Sequence, residues 1–179
     1  MARNRRILGL DTQPENFGKN RFGPDGEILT MDKELISRKT VQLERALSRI
    51  AGHIGRNSAS FSTDYDAQDI VYRNFQIVVQ NCVDIASHII AAEKFEIPRT
   101  MGESFDILNR HGIIPAAMAK ELRNMTVLRN IIVHDYTRIK IEKAYPLLKN
   151  SLKALPKFCR TIFNRSKLPH HKSKNNRKI

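Results

Sequence analysis

Apolar residues fall into a helical rhythm from Asp32 onward. Ile36, Leu43, Leu47, Ile50 and Ile54 recur at steps of three, four and seven, the spacing that lines one face of an α-helix. Asp32 stands where an N-cap belongs, and Gly55 lies near the end. The polar stretch from Ser58 to Asp66 reads as a loop. A second, longer helix is expected from Asp66 or Ala67 to about Phe95. Its apolar face is Ile70 or Val71, Phe75, Val78, Cys82, Ile85 and Ile89; no glycine or proline interrupts it, and Pro98 follows. A short third helix fits Thr100 to Arg110 and turns Phe105, Ile107 and Leu108 inward. His111-Gly112 supplies its stop, because glycine tolerates the left-handed conformation found there. Pro115 suits the first turn of a fourth helix carrying Met118, Leu122, Met125, Leu128 and Ile132. After a break around Tyr136 to Lys140, a fifth helix is expected from about Ile141 to Phe163. Pro146 is tolerable near its start, whereas Pro156 predicts a kink.

Nothing in the chain reads as a strand series, a GxGxxG or Walker loop, or a tandem repeat. Four substantial helices and one short helix, joined by brief loops, predict an all-α fold, an antiparallel helical bundle over residues 31–164. Residues 1–30 contain Gly9, Pro14, Gly18, Gly23, Pro24 and Gly26 without a sustained apolar period, and read as a flexible extension. Met31, directly before the first periodic segment, is an alternative native start. Residues 165–179 form a basic tail with six Lys or Arg and no acid.

At 179 residues the chain has room for one domain with a real core. Its 41% apolar and 27% charged residues are an ordinary balance for a soluble domain. No apolar run approaches the ~18 residues of a membrane span, and the basic N-terminus lacks the apolar core of a secretory signal. A cytoplasmic protein without a membrane partner is expected. Cys82 and Cys159 belong to no CxxC or Cys/His cluster and read as buried thiols, leaving no cysteine-based metal site. Charge alters this bland picture. Thirty-one Lys and Arg against eighteen Asp and Glu give +13, an excess that favours a polyanionic partner such as RNA or DNA.

Candidate chemistry is concentrated in Arg129-Asn130-Ile131-Ile132-Val133-His134-Asp135-Tyr136. Asn130 and His134, four apart, share a helix face. Arg129 and Tyr136, seven apart, fall within about 20° of each other if the helix persists. Arg129 and His134, five apart, are separated by about 140° around the axis. Either the long arginine reaches round, the helix ends near Val133, or a second copy of the chain supplies the missing group. Arginine binds phosphate through two parallel hydrogen bonds. Histidine titrates near neutrality and can move a proton to or from a ribose hydroxyl or a leaving oxygen. Asparagine can orient the histidine or donate to phosphate. The set suits metal-free RNA cleavage, in which the ribose 2′-OH attacks the adjacent phosphate. A bare Arg-x4-His is common: Arg165 and His170 repeat it in the tail, with Pro169 between them. Arg-Asn-x3-His-x-Tyr is much rarer.

That segment resembles the Arg-x4-His-x-Tyr signature of the HEPN superfamily, specifically of HepT-type toxins. The likeness extends through MDKELISRKTVQLERAL, DAQDIVYRNFQIVVQNCVDIASHIIA and SFDILNRHGIIPAAMAKELRNMTVLRN, covering about residues 31–150. It implies an all-α homodimer with the two motif copies facing each other across a two-fold axis. It implies a metal-independent endoribonuclease, the toxin of a toxin–antitoxin pair, with Arg129 and His134 as the catalytic pair and Asn130 beside them. It further implies an MntA-like nucleotidyltransferase antitoxin that silences the toxin by transferring AMP to Tyr136. No cofactor is implied.

A second polar set lies on the long helix. Asn74, Asn81 and His88 are spaced by seven, with Asp84 between the last two. These residues either line the cleft or the dimer interface and orient His134 or Arg129, or form a solvated face or a buried network capping a helix end. Two rival functions stand beside the nuclease. One is a non-catalytic subunit binding a nucleotide or the nucleotidyltransferase; the other is a bundle whose Arg/His pair is structural.

Overall fold

The computed structural model describes residues 32–134 and 139–166. Among them are six helices and no strand: α1 (Lys33–His53), α2 (Ser58–Thr63), α3 (Tyr65–Ala92), α4 (Met101–Arg110), α5 (Ala116–His134) and α6 (Ile141–Ser166). The expected extension 1–30, the tail beyond Ser166, and Tyr136 lie outside the described residues.

Local chemistry explains where the helices start and stop. Asp32 caps α1, its Oδ1 accepting from the backbone N–H of Glu34 and Leu35 at 2.8 and 3.1 Å. Gly55 follows α1 with φ +71°, which glycine adopts without strain. Thr100 caps α4 through the N–H of Glu103. Gly112 ends that segment at φ +67°. At the end of α3, Lys94 takes φ +57° while the Phe95 N–H returns to the Ile90 carbonyl. The long helix therefore closes at Ala92, three residues before the expected end.

One correction concerns Ser58 to Asp66, where a short helix replaces the expected loop. Asn57 caps α2 by accepting from the Ser60 N–H at 2.9 Å, and Phe61 is its single buried apolar residue. One inward residue cannot make a period, so the pattern misses the element. Asp64 then caps α3 through the Ala67 N–H. The fold thus adds a sixth helix to the five expected. The last helix continues three residues past Phe163 and carries Pro146 and Pro156 within its span.

The long helix α3 is the centre of the bundle: α1, α2, α4 and α5 all pack on it, and α6 closes the assembly against α1, α2 and α5. By length and composition α3 could cross a membrane, yet most of its surface is consumed by this packing. Ile36, Leu43 and Ile50 of α1, with Ile54 just past its end, meet Val71, Phe75, Val78, Ile85 and Ile89 of α3 in one continuous core, and every one is buried. Phe105 of α4 lies edge-on to Phe158 of α6, ring centres 6.2 Å apart, with both rings fully buried. Gly102 lets α4 approach α5, since a Cβ there would come within 3.1 Å of the Arg123 side chain. Arg123 locks the same pair by donating to both carboxylate oxygens of Asp106 at 2.8 and 3.0 Å. Cys82 and Cys159 are free and buried, as their spacing implies.

Replacing Phe105 with Ala removes a ring that the bundle cannot refill. Unfolding in denaturant should show a loss of about 3–5 kcal/mol, with the slope against denaturant unchanged; a loss under 1 kcal/mol would mean the α4–α6 contact contributes little.

Candidate active site

Helix α5 holds the arginine and the histidine, and the way it packs decides their surroundings. Leu122, Met125, Leu128 and Ile132 are buried, and Arg129, four after Met125 and three before Ile132, falls on their side of the helix. It is only 3% exposed. Burial pulls its guanidinium below its usual range, although it stays charged. Its Nε lacks a partner, and Nη1 donates to the Asn130 Oδ1 at 3.2 Å. A buried cation with an unspent donor is costly unless an anion completes it.

Asn130 and His134 are exposed and lie four apart on the opposite, solvent side. Helix α5 is described as far as His134, one residue past Val133, so Arg129 and His134 both lie on it. The angular separation of Arg129 and His134 therefore stands, but the arginine side chain reaches round as far as Asn130. The structure joins Arg129 to Asn130 and leaves His134 exposed one turn further along Asn130's face, with no contact among the described residues linking the imidazole to either. Tyr136, the fourth motif residue, lies outside the described residues.

The polar set on α3 bonds elsewhere. Asp84 accepts from Lys39 Nζ at 2.6 Å and from Gln80 Nε2 at 2.9 Å. His88 is buried, and its Nε2 accepts from the Asp32 backbone N–H at 2.8 Å. Asn74 donates to the Ile70 carbonyl at 2.7 Å, and Asn81 is buried. Asp84 and His88 thus tie α3 to α1. Burial holds His88 below the ordinary imidazole value, and the Asp32 carboxylate opposes that only in part. Among the described residues no three His, Cys, Asp or Glu side chains come together as a metal site.

Periodicity does not single out a groove of about 370 Å³ between the second half of α5 and the start of α6. Val127, Ile131, Ile139 and Leu147 line it together with Lys140 and Lys143. The available signal was the pair Val127 and Ile131, apolar and four apart, yet outside the core register.

A family model described as ribonuclease HepT-like matches residues 43–162, about two thirds of the chain. The chain belongs to the ribonuclease HepT-like family. An mRNA nuclease HepT of Shewanella oneidensis is 30% identical over 129 residues, covering 72% of this chain and 96% of that one. A tRNA nuclease HepT of Aphanizomenon flos-aquae is 28% identical over 102 residues, 57% of this chain and 69% of that one. The same fold appears in the solved structure of a tri-AMPylated Shewanella oneidensis HEPN toxin in complex with MNT antitoxin. Its TM-score is 0.68 at 28% identity, over 73% of this chain and 98% of that one. The all-α HepT-like architecture expected from the signature is therefore the architecture found.

His88 gives this HepT-like bundle a pH dependence with a definite sign. Its folded pKa lies below the ordinary 6.5, so the unfolded chain binds the extra proton more readily. The stability it contributes is complete above 6.5 and is lost as pH falls through that value toward the depressed one. The wild-type thermal midpoint should drop between pH 7 and pH 5, and His88→Gln should flatten that drop; equal drops in the two proteins would show that His88 is not the group responsible.

Proposed function

We propose that this protein is the toxin of a toxin–antitoxin pair, an endoribonuclease that cuts RNA without a metal ion. The observation that carries the reading is Arg129: a guanidinium sealed in the bundle, its Nε unspent, bonded to an amide beside the exposed His134. A phosphodiester supplies the negative oxygens that such a cation lacks. Two relatives bearing the name nuclease HepT, one of mRNA and one of tRNA, support RNA as the substrate class.

In the reaction the ribose 2′-OH attacks the adjacent phosphorus. The 2′-O–P bond forms, the P–O5′ bond breaks, and the products are a 2′,3′-cyclic phosphate and a 5′-hydroxyl. His134 takes the proton from the 2′-OH or delivers one to the departing 5′-oxygen. Arg129 neutralises the charge that builds on the phosphoryl oxygens. Asn130 orients both. A symmetric dimer would bring a second His134 to the same cleft, so that one imidazole accepts a proton while the other donates. Tyr136 is the acceptor of AMP from an MntA-like nucleotidyltransferase, and the likeness to an AMPylated toxin bound to MNT antitoxin supports this. An anionic adenylyl group next to the cleft repels the RNA backbone and fills its entrance. A cytoplasmic setting follows from such a substrate.

Two outcomes test this reading. His134→Ala should slow RNA cleavage by the purified protein about 10²–10⁴-fold with the helical circular dichroism unchanged; wild-type speed from that variant would return the site to a binding role. Tyr136→Phe should take up no AMP from the nucleotidyltransferase, read by intact mass, and escape silencing; AMP uptake at the same stoichiometry as wild type would move the modification to another residue.

A further inference from the structure

The groove between α5 and α6 has no part in the catalytic scheme, although it adjoins the catalytic face. Val127, Ile131 and His134 follow one another at steps of four and three, so they share one side of α5. Val127 is 56% and Ile131 38% exposed, and they are two exposed aliphatic residues that stand together on one helix face, whereas Val41 and Ile97 are exposed singly elsewhere. Across the groove stand Ile139 and Leu147. Lys140 and Lys143, both exposed, belong to its lining, and among the described residues no acidic one does. The positive end of α6 opens at the same place, since that helix begins at Ile141. An apolar slot beside two cations, a turn away from a proton-transfer group, matches a flat apolar ring joined to an anionic linker.

We infer that this groove binds the nucleotide flanking the scissile phosphate, with its base between the aliphatic walls and its phosphate on Lys140 and Lys143. Apolar walls hold a splayed base through its faces, and single-stranded RNA offers such bases. The volume of about 370 Å³ lies in the range of small-ligand sites. Two exposed lysines and the N-terminus of α6 beside the aliphatic walls are complementary to a polyanion, which favours RNA. The inference rests on the nuclease reading and extends it to how substrate is held.

The test uses full-length protein carrying His134→Ala, so that RNA stays intact, and a short single-stranded RNA whose cleavage site has been mapped with the wild type. Lys140→Gln with Lys143→Gln should weaken binding about tenfold and reduce the slope of log affinity against log salt by about 0.7, the value for one single-strand phosphate contact. Removing the base at the flanking position should weaken wild-type-groove binding about tenfold, and Val127→Ala with Ile131→Ala should abolish the difference between intact and abasic RNA. Unchanged salt slopes, or equal affinity for the two RNAs with the groove intact, would overturn the inference. So would dissociation of the oligomer in the Val127/Ile131 variant, which would assign the groove to a contact between copies. The nuclease reading is decided separately: wild-type protein that cuts no RNA defeats that reading, whereas wild-type cleavage with unaltered slopes in the lysine variant defeats the groove alone.

Discussion

A guanidinium held inside a helical bundle dominates the physics of this protein. Arg129 occupies a position on α5 whose neighbours one turn to either side are the buried Met125 and Ile132, and a charge there is expensive. Among the described residues no carboxylate pairs with it; its one hydrogen bond runs to the neutral Asn130. The rest of the bundle keeps this cation in place, with Gly102 and the Arg123–Asp106 pair drawing α4 onto α5 and α3 packing beneath.

Much of the fold was legible because it rests on repeated local signals. The faces of α1, α3, α4 and α5 follow from apolar spacing, and every residue assigned to the α1 face is buried. Helix ends were legible where a capping side chain or a left-handed glycine writes them into the chain, as at Asp32, Thr100 and Gly112. What escaped lacks periodicity. Helix α2 is six residues long with one inward ring, so its existence depends on Asn57 and on Phe61 meeting Tyr72 and Tyr145 from distant parts of the chain. The early close of α3 depends on Lys94 adopting a conformation that its side chain does not announce.

The site was legible as a composition and not as a place. The motif identified Arg129, Asn130 and His134, and helical geometry posed the correct difficulty about the first and last. Only packing shows that the arginine lies on the core side and that its reach ends at Asn130. Its register with Met125 and Ile132 was a usable signal for burial, at odds with the general rule that a charged residue faces water. The polar stripe on α3 shows the opposite case: Asp84 and His88 look like site residues by type, and their bonds tie α3 to α1. A histidine whose ring nitrogen accepts a backbone N–H is a fastening that depends on staying neutral, whereas His134 lies exposed at the end of α5.

The chemistry claimed for Arg129 and His134 leaves a record in its products. RNA cut by the wild-type protein in EDTA should end in 2′,3′-cyclic phosphate and 5′-hydroxyl, identified by mass spectrometry, and a single 2′-deoxy substitution at the cut should stop the reaction. Fragments ending in 3′-hydroxyl and 5′-phosphate, or undiminished cutting of the 2′-deoxy substrate, would contradict the account, because water rather than the ribose would then be the attacking group.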